Sequence, residues 1–208
     1  MLLRRRVQLP QLDPFVERLR STLAGRTPVR VERPEARRAA VALIVAARPG
    51  GASILFIKRR QRVGDPWSGQ MALPGGFASA LDASLEATAR RETAEETGVV
   101  LGSDASLLGA LDDVSPRTPY LPPIVVRPFA FLVKERAIAM PGPEVETAVW
   151  LPVGRLFSPR FRRPFRLELP GETREFPSIV IGDYTIWGLT ERVLNQLEAM
   201  GVVRPNAG

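Results

Sequence analysis

The residues that most restrict the fold run from Leu73 to Val99, where a Pro-Gly-Gly entry, a charged run and a single Gly exit follow at short distances. Pro74-Gly75-Gly76 predicts a tight turn in which a backbone carbonyl can approach a ligand. The run Arg91-Glu92-Thr93-Ala94-Glu95-Glu96-Thr97 reads as helix, and Gly98 supplies its C-terminal cap. On that helix Glu92, Glu95 and Glu96 stand at i, i+3 and i+4, so three carboxylates share one face. Like charges so placed destabilise a bare helix by roughly a few tenths of a kcal/mol per pair. A divalent cation removes that repulsion, and hard cations such as Mg²⁺ take oxygen ligands. For the glutamates alone, a solvated acidic surface is the simpler reading. The glycines at both ends and the Arg91-Glu92 pair, all in one register, favour the cation.

Composition narrows the chemistry further. The chain has no histidine and no cysteine. Imidazole bases, Ser-His-Asp triads, thiol nucleophiles, thiolate metal sites and disulfides are therefore excluded. Acid–base work must fall to carboxylates, Lys, Tyr or metal-bound water. The net charge of +7 is almost wholly arginine, because Lys58 and Lys134 are the only lysines. Arginine offers forked donors that match phosphate oxygens. The arginines are scattered along the chain, which points to a phosphorylated small molecule and against nucleic acid.

The stretch around the three glutamates resembles the signature of the Nudix hydrolase superfamily: Gly, five residues, Glu, seven residues, then Arg-Glu-x-x-Glu-Glu-x-Gly. Arg91 to Gly98 match its second half, with Thr93 at the position normally aliphatic. Counted from Gly76, the first acidic position falls on Asp82, and eight residues instead of seven separate it from Arg91. This register, with Asp for Glu, is similar to the coenzyme A pyrophosphatase branch. Arg59 to Met71 (RRQRVGDPWSGQM) resembles the segment before the signature in that branch. Ser68-Gly69-Gln70 keeps its Gly-Gln, while Pro66-Trp67 stands where the branch carries histidine. The run Ile186-Trp187-Gly188-Leu189-Thr190 resembles the branch's last helix, and Glu144 to Pro152 resembles a strand found late in Nudix domains.

Along the chain, Asp13 as N-cap, Pro14 in the first turn and Leu12, Phe15, Val16, Leu19 and Leu23 at helical spacing predict an amphipathic N-terminal helix. That helix packs on the domain or, as a homodimer contact, on a second subunit. Residues 39–45 form an unbroken apolar run, as in a strand covered on both faces. Pro49-Gly50-Gly51 turns it into a hairpin partner over 54–60. Met71 to Leu73 forms a short strand, 107–111 another, and 124–133 a third that Pro128 marks with a bulge or an edge. Between the last two lies a proline-rich loop, 115–123, carrying Arg117 and Tyr120. Phe165–Leu169 and Arg174–Ile181 read as a hairpin before a last helix opening at 186–190. Arg4-Arg5-Arg6 lacks a following apolar region, so no secretory signal is expected, and no apolar run approaches the roughly 20 residues of a membrane span. A cytoplasmic location is expected.

The resemblance implies an α/β Nudix fold, an α/β/α sandwich around a mixed β-sheet. Residues 37–200 would form that domain, with 1–36 an N-terminal helix and connector and 201–208 a tail. It also implies a pyrophosphohydrolase of a nucleoside diphosphate derivative, most simply coenzyme A or its derivatives. Mg²⁺ or Mn²⁺ would be held by Glu92, Glu95, Glu96 and the Gly76 carbonyl, with Arg91 orienting the carboxylates. One of these glutamates, or Glu144 or Glu146, would be the general base. Arg59, Arg60 and Arg62 would hold the phosphates, Trp67 would stack on a base, and Gln70 and Arg117 would also contact the substrate. Alternatives are a Nudix hydrolase for ADP-ribose, an ADP-sugar, a dinucleotide or a nucleoside triphosphate, or a non-catalytic binding module of the same fold.

Overall fold

The computed structural model describes residues 13–47, 50–64, 67–116, 122–169 and 172–203. Leu12, the Arg4-Arg5-Arg6 run, Pro49, Pro66, Arg117 and Tyr120 lie outside the described residues.

The centre is strand β1 (Arg37–Ala46), which is why its sequence is an almost unbroken apolar run. Along one edge it pairs in parallel with β6 (Ile124–Val133), from Arg37↔Ile124 to Ala46↔Val133. The other edge is shared. Its first half pairs with β4 (Gly75–Phe77) and its far end with β2 (Ser53–Arg59), both antiparallel. β2 then pairs with β3 (Met71–Ala72) and β7 (Val145–Pro152), and β6 with β5 (Ala105–Ala110). The result is a seven-stranded mixed sheet.

Successive β1 side chains go to opposite sides of this sheet. Ala39, Leu43 and Val45 join one apolar cluster, which also takes Phe15, Val16, Leu19 and Leu23 of α1 (Pro14–Ala24), Leu156 of α3 (Val153–Leu156), and Val193, Leu194 and Leu197 of α4 (Gly188–Ala199). Ala40, Ala42 and Ile44 join the other, under Ala89 of α2 (Leu85–Thr97). Helices therefore cover both faces, as expected of an α/β/α sandwich. The amphipathic stripe of α1 is spent on its own domain: Val16 and Leu19 are fully buried, so truncating Leu19 to Ala would cost about 2–5 kcal/mol. The Asp13 carboxylate accepts from the Phe15 N–H at 2.8 Å, the N-cap its position predicts.

A separate three-stranded antiparallel sheet follows α3: β8 (Arg162–Leu169), β9 (Glu172–Ile181) and β10 (Tyr184–Trp187). Trp187 closes β10, and α4 starts one residue later at Gly188 instead of at 186.

Two local expectations change. Pro74-Gly75-Gly76 is not a free tight turn, because Gly75–Phe77 is a strand laid against β1. A Cβ on Gly75 would lie 2.2 Å from the Ala40 carbonyl oxygen, so only glycine lets the two backbones come this close. Pro128 sits in an internal strand, with no bulge in its β1 ladder. Val126 N–H donates to Val114 O, so the Pro128 nitrogen, two residues on, points to that same side. There Leu111 still runs alongside, its N–H donating to the Pro128 carbonyl, and the Leu111 carbonyl accepts from Arg30 Nη1 at 2.9 Å in place of the donor that Pro128 lacks.

Candidate active site

The carboxylate helix is built for position more than for packing. Ser84 caps α2 by accepting from the Ala87 N–H, and Gly98 closes it in the left-handed conformation at φ 69°. Asp82, just before the helix, is the fixed point beneath it. Its carboxylate takes both arms of Arg91, Nε to Oδ1 and Nη2 to Oδ2, each at 2.9 Å, and also accepts from the Ser79 N–H and the Thr88 hydroxyl. The Arg91 hydrogen bonds, above all, hold the Asp82 carboxyl well below the usual carboxylate range, and Asp82 in turn raises Arg91. From this anchor Arg91 reaches Glu92 Oε1 at 2.8 Å and Glu95 Oε2 at 3.1 Å.

Glu96 points the other way, into the sheet. It is 6% exposed, and its Oε2 accepts from the Gly75 N–H at 2.8 Å. Arg59 Nη1 is 3.9 Å from its other oxygen. Burial drives the Glu96 carboxyl up to about 7, with the Glu92 and Glu144 charges adding to the push and Gly75 and Arg59 opposing it. Burial also raises Glu92, against the pull of Arg91. Carboxyls crowded and desolvated in this way gain from a cation.

As these side chains are turned, no three acidic groups among the described residues gather at one point. Arg91 holds Glu92 and Glu95 at one side, and Gly75 holds Glu96 at the other. The donors are all carboxylate or backbone oxygens, the set a hard divalent cation prefers. The backbone also makes room for them: a Cβ on Gly76 would lie 2.5 Å from the Glu92 carboxyl carbon. The residues present fit a divalent cation.

The end of α2 is pinned by the segment before β7. Met140 N–H donates to Thr97 O at 2.8 Å and Gly142 N–H to Glu96 O at 2.9 Å. A Cβ on Gly142 would sit 2.2 Å from the Glu95 carbonyl oxygen, so this contact also requires glycine. Arg60 fixes the same segment, with Nε on the Pro143 carbonyl and Nη2 on that of Val145. Glu144 is thereby carried to the helix end.

One cavity of about 1180 Å³ opens along these groups. Of the residues singled out in the sequence, Gly76, Glu92, Glu95, Glu96, Glu144, Arg59, Trp67 and Gln70 line it. Arg60, Arg62 and Glu146 do not. Arg60 serves the loop, Arg62 pairs with Glu144 at 2.8 Å, and Glu146 pairs with Lys58 at 2.8 Å. Several lining residues were not anticipated from the sequence, among them Phe176, Trp187 and Arg192. The alternation of Phe165 and Leu167 opposite Arg174 and Phe176 was the available signal, since strand pairing puts all four on one face. The Gly142 docking carried no local signal, because its partner lies in a distant helix.

A family model described as the NUDIX domain matches residues 36–169. Among curated relatives, Nudix hydrolase 22, chloroplastic, of Arabidopsis thaliana is 31% identical over 189 residues, which are 86% of this chain and 59% of that protein. An uncharacterized Nudix hydrolase, NudL, of Citrobacter koseri is 28% identical over 200 residues, covering 93% and 96%. An uncharacterized protein of Schizosaccharomyces pombe is 34% identical over 119 residues, which are 55% of this chain and 36% of that protein. A MutT/nudix family protein from Enterococcus faecalis is similar in fold, with a TM-score of 0.51 at 20% identity over 88% of this chain and 69% of that one. Among the described residues no helix is long and apolar enough to cross a membrane.

Proposed function

The chain belongs to the Nudix family, and on that premise we propose that it hydrolyses the diphosphate bond of a nucleoside diphosphate derivative, with coenzyme A or one of its derivatives as substrate. The observation that carries this reading is the single cavity that Glu92, Glu95, Glu96, Gly75, Gly76 and Glu144 all line. At about 1180 Å³ it exceeds the roughly 300–1,000 Å³ usual for small-molecule sites, which suits a substrate with two sizeable halves.

Glu92, Glu95 and Glu96, with the Gly76 carbonyl, would hold Mg²⁺ or Mn²⁺. Once bound, the ion would neutralise the diphosphate and lower the pKa of an attacking water. The chain's own residues do the rest. Arg91, locked on Asp82, keeps Glu92 and Glu95 facing the diphosphate and spares them a search through rotamers. Arg59, on the cavity wall beside Glu96, supplies a fixed positive charge for a phosphoryl oxygen. With no histidine in the chain, a carboxylate is the side chain best suited to take the proton of the attacking water, where a metal-bound hydroxide does not supply the base. Glu144 is the carboxylate beyond α2 that faces the cavity, and we assign it that role over Glu146.

Coenzyme A is favoured by the Asp82 register, by Gly69-Gln70 and by the run Ile186 to Thr190. A different nucleotide is favoured by Pro66-Trp67 in place of the branch's histidine. Chromatography of products formed with Mg²⁺ or Mn²⁺ from coenzyme A, acyl-coenzyme A, ADP-ribose, dinucleotides and nucleoside triphosphates separates the two. Release of phosphopantetheine and adenosine 3′,5′-diphosphate is the expected result. Cleavage of another member would retain the chemistry and reassign the substrate, and no cleavage of any member would leave a binding module.

A further inference from the structure

Part of the cavity wall comes from the separate three-stranded sheet. Its register pairs Phe165 with Phe176, Leu167 with Arg174, and Ser178 with Trp187. Side chains alternate along a strand, so Phe165, Leu167, Arg174, Phe176 and Trp187 stand on one face. Leu167, Arg174, Phe176 and Trp187 line the same cavity as Glu92 and Glu96. The Trp187 ring stacks on Phe165 at 4.3 Å and 25°, and Phe176 leans on it at 5.5 Å and 50°. The rings are therefore held in place before anything binds.

This face does not behave as ordinary core. Phe165, Leu167, Phe176 and Trp187 are all only half-buried, and none belongs to either buried cluster or packs against one. Trp67, the stacking candidate from the sequence, does pack against the larger cluster. The family match ends at residue 169, so Arg174, Phe176 and Trp187 lie on a segment beyond the matched domain. Preformed aromatic rings beside an open volume offer a flat, sequence-tolerant platform for a planar heterocycle, and a guanidinium adds attraction to its π-face.

We propose that the face formed by Phe176 and Trp187, braced by Phe165 and bordered by Arg174, is the subsite for the nucleobase of the substrate. The base stacks on this appended sheet while the diphosphate lies toward α2, so the base is gripped by a segment separate from the one that does the chemistry. This rests on the nucleoside diphosphate reading above.

The test uses Phe176→Leu, Trp187→Leu and the aromatic-retaining Trp187→Phe in the full chain, each checked for folding by circular dichroism. Two quantities are measured: kcat and KM for the substrate found above, and the Kd of the best-bound of ADP, GDP, CDP and UDP against that of inorganic pyrophosphate. Loss of base stacking should weaken the nucleotide Kd and raise KM about tenfold, with kcat within about twofold. Pyrophosphate affinity should not change, and Trp187→Phe should stay close to wild type. If Trp187→Leu does not fold, Phe176→Leu carries the test alone. Unchanged nucleotide Kd in a folded Phe176→Leu protein would overturn the subsite, even with hydrolysis intact. A raised KM for coenzyme A with unchanged nucleotide Kd would put the non-nucleotide half on this wall and also overturn it. Weakened nucleotide binding in a protein that hydrolyses nothing would sustain the subsite and remove the hydrolase reading. A wild-type protein that binds none of the four nucleotides would end the proposal.

Discussion

The two walls of the cavity are made in opposite ways. The carboxylate wall is a polar lattice in which Asp82, Arg91, Glu92, Glu95, Glu96 and Gly75 each hold a neighbour in place. Its glycines are demanded by close contact: Gly75 against Ala40, Gly76 against Glu92, Gly142 against Glu95. The aromatic wall is held by strand register and ring stacking, and the glycine at its β9–β10 turn, Gly182, meets nothing within 4 Å. A site that must place charge within a fraction of an ångström uses backbone contact. One that only offers a flat apolar surface can rely on a simple sheet.

The largest expected difference is in turnover. Glu96→Gln should lower kcat at least about 10²-fold, because charge held for the transition state is worth several kcal/mol. Its melting temperature should stay level or rise, since a desolvated carboxyl becomes a neutral amide that can still accept from Gly75. Steady-state kinetics and a thermal melt on one preparation check both parts. Next comes Gly75→Ala, which forces a Cβ to within 2.2 Å of the Ala40 carbonyl oxygen at φ +152°. A loss of about 3 kcal/mol or more is expected in urea unfolding, with activity falling in parallel.

How far these walls were readable from sequence follows the same division. Asp13-Pro14, the apolar run at 39–45 and the Arg91-to-Gly98 helix are local patterns, and each became the expected element, the helix starting earlier, at Leu85. The three glutamates came out on one cavity, as their helical spacing allows, while the turn of Glu96 toward the sheet was set by Gly75. What was hidden depends on distant backbone. Nothing near Gly75 in sequence announces that it will lie against β1, and nothing near Gly142 announces α2. Pro128 suggested a bulge or edge because its missing donor was visible and the substitute donor, Arg30 on the Leu111 carbonyl, was not. The hairpin was legible as a hairpin, yet which of its faces would meet the cavity was set by where the whole sheet docks.

The lattice and the turn also differ in their response to acid and to simple strain. Asp82 has a folded pKa below its ordinary 3.8, so its contribution is present above that pH and is lost as pH falls toward the folded value. Asp82→Asn should therefore be less stable than wild type at pH 7, and the gap should narrow as pH drops below about 4. A constant gap from pH 7 to pH 3 would mean that Arg91 does not depend on that charge. The smallest effect is expected at Gly182→Ala, where only the left-handed backbone at φ +58° resists the side chain. About 1 kcal/mol should be lost, with kcat unchanged.

The most direct measurement is hydrolysis of the cleaved substrate in ¹⁸O-water with Mg²⁺, run on wild type and Glu96→Gln and read by mass spectrometry of both products. Attack of water on phosphorus by the α2 site predicts one ¹⁸O in the phosphate group of a single product, formed at least about 10²-fold more slowly by the mutant. Label on a carbon-bound oxygen, or equal rates in the two proteins, would contradict the assignment of the chemistry to the α2 carboxylates.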